Sequence, residues 1–193
     1  MKVYIFLLLI VFVSVGVQAQ QKAIKLGDTP PEFSLSVVKS TEMDSINLAD
    51  LKNRAVILDF WATWCAPCIK SFPHLNKLIE KLKEKPVTII SITYEPKDFI
   101  NNFLEKHELK SIIATDNDFF MFKAFNGWAI PTMILINKNG KYAGRIHPKN
   151  LTAQIIDELL EGNIPKVEQV PENLYDPVKA EKYFRSLIKQ NNG

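Results

Sequence analysis

The chain has 193 residues, 47% hydrophobic and 23% charged, with a formal net charge of +3, a composition that suits a globular domain and excludes a disordered or collagen-like one. So small a basic surplus points to neither nucleic acid nor an anionic surface as a partner. Two cysteines are too few for a disulfide scaffold.

Lys2 precedes an apolar stretch from Val3 to Val15, and Val17-Gln18-Ala19 follows at the positions a signal peptidase reads. Residues 1–19 are therefore expected to be a cleaved signal peptide. The stretch is shorter than the about 20 apolar residues that span a bilayer. An uncleaved N-terminal anchor, oriented by Lys2, is the alternative. No cysteine follows directly, which excludes a lipoprotein anchor. Either form places the protein across a membrane, with a bacterial periplasm as the expected location. Residues 20–162 are then one domain, and residues 163–193 a linker and a terminal helix.

The domain reads as alternating strands and helices, hence α/β. Leu26 to Pro31 is a Gly-Asp-x-Pro-Pro opening, followed by short strands at Phe33 to Val38 and Ser45 to Leu48. Ala55 to Trp61 is a near-continuous apolar run, as for a central strand covered on both faces. Cys68, Phe72, Leu75, Ile79 and Leu82 recur at helical spacing and predict a helix to about Lys83, with Pro67 in its first turn and Pro73 inside it. Val87 to Thr93 predicts a strand, Asp98 to His107 a helix, and Ile112 to Ala114 a strand. Asp118 is the expected N-cap of a brief helix to Phe125, stopped by Asn126-Gly127. Thr132 to Ile136 and Lys141 to Ile146 flank an Asn139-Gly140 hairpin turn, and a last helix runs from Leu151 to Glu161 and stops at Gly162. Beyond it, prolines at 165, 171 and 177 punctuate a polar stretch, and Ala180, Phe184, Leu187 and Ile188 line one face of a terminal helix. That face either packs on the domain or binds a partner.

The chemistry lies in Asp59-Phe60-Trp61-Ala62-Thr63-Trp64-Cys65-Ala66-Pro67-Cys68. Within the chain Cys65 and Cys68 can form a disulfide only with each other, and the loop it closes is too short to restrain an unfolded chain much, so the bond suits opening and closing better than stapling. A structural zinc site needs four ligands, and the chain has no second cysteine pair; His74, His107 and His147 share no ligand spacing and read as surface or capping residues. No metal or other cofactor is implied. A thiolate at a helix N-terminus faces free backbone N–H groups, so the Cys65 pKa is expected below the free value of about 8.5. Cys65 is the expected nucleophile, and Cys68, one turn on and in the buried stripe, resolves the mixed disulfide.

Alternation along the strand points Val56, Leu58 and Phe60 one way and Ile57, Asp59 and Trp61 the other. A carboxylate buried in such a run is expected to have a raised pKa and to accept the Cys68 proton during resolution. An exposed Asp59 on a frayed strand is the alternative. Trp64 is expected to offer an exposed face to substrates and Trp61 to support the site from the core. Trp128 either extends the docking rim or packs beneath it. Phe119 to Phe125 reads as core. Asn150-Leu151-Thr152 fits a glycosylation acceptor but falls where a helix cap is expected.

Phe60 to Cys68 resembles the active-site segment of the thioredoxin superfamily, and the likeness extends over most of residues 26 to 161. Asp59 aligns with that family's buried aspartate, Pro73 with its helix proline, and Ile130-Pro131-Thr132 with its cis-proline segment. The resemblance implies a thioredoxin-like α/β fold: a central mixed sheet flanked by helices, with extra N-terminal strands and an inserted helix and strand between Tyr94 and Asp116. It also implies that Ile130, Pro131 and Thr132 join Trp64, Ala66 and Pro67 as the substrate-binding residues. The signal segment, the opening and the insertion are similar to the extracytoplasmic TlpA/ResA-type branch, whose members supply electrons outside the cytoplasm, in cytochrome c maturation among other tasks. One position departs: where ResA-type proteins carry a glutamate three residues after the second cysteine, this chain has Ser71. Its part in proton handling or substrate selection falls here to Asp59 or Glu95, and the departure weighs against a dedicated cytochrome c role.

Peroxiredoxins share this fold and opening, but their Pro-x-x-x-Thr-x-x-Cys motif would need Pro and Thr where this chain has Leu58 and Ala62. Copper-delivery modules of the SCO type separate their cysteines by three residues rather than two. The direction of electron flow follows from what stabilises the thiolate. Ala66-Pro67 matches neither the Gly-Pro of thioredoxin nor the Pro-His of the oxidant DsbA. Without a histidine between the cysteines one stabiliser is missing, and Ile130 before the proline resembles thioredoxin. The expected activity is a reductant of disulfides in exported proteins, re-reduced by a membrane electron donor, with a disulfide-forming oxidant as the alternative.

Overall fold

The computed structural model describes residues 24–39, 43–125, 127, 129–170, 182, 185, 186 and 189. The expected signal segment 1–19, Asn126, Trp128 and the apolar face Ala180, Phe184, Leu187 and Ile188 lie outside the described residues.

Along the chain come β1 (Ser34–Lys39), β2 (Ser45–Asn47), β3 (Ala55–Phe60), α1 (Ala66–Leu82), β4 (Val87–Thr93), α2 (Lys97–Leu104), β5 (Ile112–Thr115), α3 (Phe120–Ala124), β6 (Thr132–Ile136), β7 (Tyr142–Ile146) and α4 (Ala153–Glu161). The strands form one mixed sheet in the order β2-β1-β5-β4-β3-β6-β7. β3, β4 and β5 run parallel, joined by crossovers carrying α1 and α2, while β6 pairs antiparallel to β3 and β1 antiparallel to β5. The expected mixed sheet with extra N-terminal strands and an inserted helix and strand is the observed fold.

All six residues of β3 are buried, as its apolar run demands. The rings show its two faces. Phe60 meets Phe122 of α3 edge-on at 4.8 Å, whereas Trp61 meets Phe72 of α1 at 5.4 Å and Phe103 of α2 at 5.5 Å. By alternation Asp59 shares the Trp61 face, the one that carries α1. Gly127 lies against the other face, where an added Cβ would come within 2.7 Å of the Phe60 ring.

Several boundaries differ from expectation, each for a local reason. Leu48 opens a 3-10 turn over Leu48–Leu51 rather than ending β2. α2 stops at Leu104, and His107 turns back to stack on Phe103 at 4.2 Å. α3 begins at Phe120 without Asp118 as its cap, because Asp116 accepts the Phe122 N–H at 3.0 Å and Phe119 takes a left-handed conformation with φ of 57°. α4 begins after Thr152, whose hydroxyl caps the Ile155 N–H at 3.3 Å, and closes at Gly162 with φ of 89°. Thr152 therefore serves as a helix cap.

β7 is the last strand of the sheet, but its outer edge is covered. Gly27 donates to the Tyr142 carbonyl and Tyr142 to that of Asp28, at 2.8 and 2.9 Å. Farther along, Val170 donates to the Arg145 carbonyl at 2.9 Å, and the Arg145 N–H to the Gln169 side chain at 2.6 Å. The segments flanking the domain at residues 27–28 and 169–170 thus satisfy backbone groups that would otherwise template edge pairing.

Candidate active site

The site begins where β3 ends. The Trp61 N–H still donates to the Ile92 carbonyl at 3.1 Å, after which the chain turns and Cys65 donates to the Ala62 carbonyl at 3.0 Å. That turn delivers Cys65 to the N-cap of α1, where its sulfur accepts the Cys68 N–H at 3.3 Å. Pro67, which has no N–H to contribute, occupies the first turn at no cost in hydrogen bonds. Cys65 and Cys68 are joined by a disulfide of 2.04 Å. The expected difference in their burial is slight, at 3% and 2% exposed, because the bond draws both sulfurs together; what separates them is position, at the cap and in the first turn.

Asp59 is buried, and its carboxylate accepts a hydrogen bond from the Ser91 hydroxyl at 3.0 Å, which pairs in turn with Ser111 at 2.7 Å. Burial pushes its pKa up to about 7, against the smaller lowering effect of the Ser91 bond. The exposed alternative is therefore incorrect. Cys68 lies on the buried face of α1 with Phe72, whose ring meets Trp61, so Asp59 and Cys68 both face the layer between β3 and α1. Nothing local singles out these serines, since β4 also carries Thr88 and Thr93; only the parallel register sets Ser91 opposite Asp59.

Trp64, Ala66 and Pro67 are exposed beside the buried disulfide. The Ile130-Pro131 bond is cis. Antiparallel pairing of Thr132 with Phe60 lays this segment beside the end of β3, next to the turn that carries the cysteines. Ile130 and Pro131 are half-buried. Thr132 is fully buried, with a hydroxyl that has no partner among the described residues, so, unlike Ile130 and Pro131, it presents neither side chain nor backbone at the surface.

Ser71 cannot stand in for an acidic side chain, since its hydroxyl donates to the Cys68 carbonyl at 2.6 Å. Glu95 approaches from the end of β4. It accepts the backbone N–H and the hydroxyl of Thr63, both at 2.7 Å, and the Thr93 hydroxyl at 3.2 Å. Burial raises its pKa, opposed by the bonds from Thr63 and Thr93. The histidines are structural: His74 Nε2 lies 3.0 Å from the Leu151 carbonyl, and His147 Nδ1 accepts the Lys149 N–H at 3.2 Å.

The profile of the Redoxin family matches residues 25–160. The chain is 35% identical over 153 residues to the thiol-disulfide oxidoreductase ResA of Bacillus anthracis, covering 79% of this chain and 84% of that protein. To ResA of Geobacillus thermodenitrificans (strain NG80-2) it is 31% identical over 170 residues, covering 86% and 95%. Among solved structures, a putative thiol:disulfide interchange protein DsbE from Chlorobium tepidum superposes with a TM-score of 0.64 at 27% identity, over 72% of this chain and 99% of that one. A Cys-x-x-Cys pair at a helix mouth, a buried carboxylate in the strand that leads to it, this mixed sheet and these relatives agree: the chain belongs to the Redoxin family, as a ResA-type member of the thioredoxin superfamily.

Proposed function

We propose that this protein is a thiol-disulfide oxidoreductase that reduces disulfides of exported proteins by cycling Cys65 and Cys68 between dithiol and disulfide. The observation that carries this is the disulfide itself, closed at the first turn of α1 with the Cys65 sulfur at the N-cap accepting a backbone N–H. In the reduced protein a Cys65 thiolate keeps that N–H and the positive end of the helix. It attacks one sulfur of the substrate disulfide, forming a mixed disulfide and releasing the other substrate sulfur as a thiolate. The Cys68 thiol then gives its proton to the Asp59 carboxylate and attacks the Cys65 sulfur. This closes the Cys65–Cys68 bond and releases the second substrate thiolate. Two electrons pass to the substrate, and an electron donor in the membrane restores the dithiol.

Trp64, Ala66 and Pro67, with the half-buried Ile130 and Pro131, form the surface on which the substrate chain rests, and Thr132 anchors that segment to β3. The exposure of the first three beside the sulfurs supports this. Work outside the cytoplasm is supported by the signal-like pattern of residues 1–19. The working unit is residues 20–162, supported by the family match over 25–160. Glu95 spends its hydrogen bonds on Thr63 and Thr93, which supports Asp59 over Glu95 as the proton acceptor.

The test is trapping. A Cys68→Ala variant incubated with oxidised exported proteins accumulates mixed disulfides at Cys65, identified by mass spectrometry, and Cys65→Ala accumulates none. The opposite pattern would reverse the roles of the two cysteines.

A further inference from the structure

The chemistry above makes no use of the rings packed beneath Trp64. Trp64 is 44% exposed, yet its indole N–H donates to the hydroxyl of buried Tyr94 at 2.8 Å. Tyr94 is itself fixed. Its ring stacks on Phe119 at 5.4 Å and meets Phe122 edge-on at 5.6 Å. Phe119 reaches that stack through a left-handed backbone, a conformation few non-glycine residues adopt, with its N–H held by the Asp116 carbonyl at 3.0 Å. The Arg185 guanidinium lies over the Phe119 ring at 4.5 Å from its centroid. The neighbouring Glu95 holds Thr63, so residues 94 and 95 grip the two residues that precede Cys65.

An exposed ring used for docking loses rotamer freedom when a substrate covers it, unless it is already held. We infer that Tyr94 is a specificity-determining positioning residue: its hydroxyl holds the Trp64 indole in the orientation that receives a protein substrate, without touching the substrate or the sulfurs. The inference rests on the reading of Trp64 as a docking surface. Its consequence is selective. Protein disulfides, which extend from the sulfur pair onto the indole, depend on Tyr94; a small aromatic disulfide, which reaches the sulfurs alone, does not.

The test is a double-mutant cycle in the full chain, reduced beforehand with dithiothreitol and freed of it, with insulin as the protein disulfide and DTNB as the small one. Each is followed over a single turnover, whose half-saturating concentration and limiting rate stand as KM and kcat. Tyr94→Phe keeps the ring stack and removes the acceptor; Trp64→Phe keeps an exposed ring and removes the donor at a site that does not threaten folding. Each raises KM for insulin about two- to tenfold while kcat is retained, the range that ordering one side chain implies. The double variant rises no further than either single, as for two ends of one hydrogen bond. The DTNB rate and the redox potential of Tyr94→Phe match the parent. Additive single effects, or a Tyr94→Phe variant that slows insulin and DTNB alike, would overturn the inference. Trp64→Ala separates the two levels. If it leaves the insulin KM unchanged, Trp64 does not dock substrates and the underlying reading fails. If it raises KM while the two Phe variants do not, docking stands and the role of Tyr94 falls.

Discussion

Thr63 is held twice by Glu95, through its backbone N–H and its hydroxyl, both at 2.7 Å. The two bonds fasten the turn before Cys65 to the end of β4. A glutamine can reproduce them, its carbonyl accepting the N–H and its amide meeting the hydroxyl, whereas alanine leaves the Thr63 groups unpaired. Glu95→Gln therefore unfolds within about 1 kcal/mol of the parent, and Glu95→Ala is about 1–3 kcal/mol less stable, measured by denaturant titration. Glu95→Gln also keeps the pH profile of disulfide exchange; a profile that moved with this variant would make Glu95 a proton carrier.

Asp59, with a folded pKa of about 7 against the ordinary aspartate value of 3.8, makes stability depend on pH in a definite sense. Below the unfolded value the carboxyl is neutral in both states and its contribution is fully present. As pH rises towards 7 the unfolded chain ionises first, so stability is lost, and above the folded value the loss levels off. Asp59→Asn removes this dependence. The variant gains on the parent between about pH 4 and 7, reaching a few kcal/mol at about pH 8, read from unfolding curves across that range. Its second exchange step is slower, so the mixed disulfide persists in stopped-flow traces, and the parent's rise in that rate near neutral pH is absent.

The direction of electron flow is open to one measurement. Equilibration with glutathione or a dithiol buffer places the Cys65–Cys68 couple nearer the about −270 mV of a reductant than the about −120 mV of a strong oxidant. A value above about −150 mV would make the protein an oxidant of the same fold.

Gly127 packs where a methyl group would meet the Phe60 ring at 2.7 Å, and Phe60 is itself pinned by Phe122. Gly127→Ala overpacks this layer and lowers stability by about 1–3 kcal/mol. Calorimetry of the oxidised protein checks it, and trapping by Cys68→Ala in the same background shows whether the site tolerates the shift.

Much of this architecture was legible because its signals are local. The apolar run of β3, the helical stripe from Cys68 to Leu82 and the Asn139-Gly140 turn each carry their own periodicity or turn chemistry. The reading of α3 missed by one local choice between two aspartates: Asp118 has the right chemistry, but Asp116 holds the Phe122 N–H and the chain passes through a left-handed Phe119. Glu95 could be named as a candidate, yet its partner Thr63 lies 32 residues away and only the fold brings them together.

The sequence by itself determined the reactive unit: two cysteines one helical turn apart, a proline without an N–H between them, and a carboxylate set into an apolar strand. These depend on spacing and on the cost of burying charge, which neighbouring residues dictate. The tertiary structure decided what surrounds that unit. Parallel pairing of β3 with β4 supplies Ser91 to Asp59 and Glu95 to Thr63, antiparallel pairing with β6 lays the cis proline beside the cysteine turn, and the packed Tyr94 reaches the indole of Trp64. Such contacts join residues distant in the chain, and they form only when burial of both faces of β3 fixes which strands and helices lie against it.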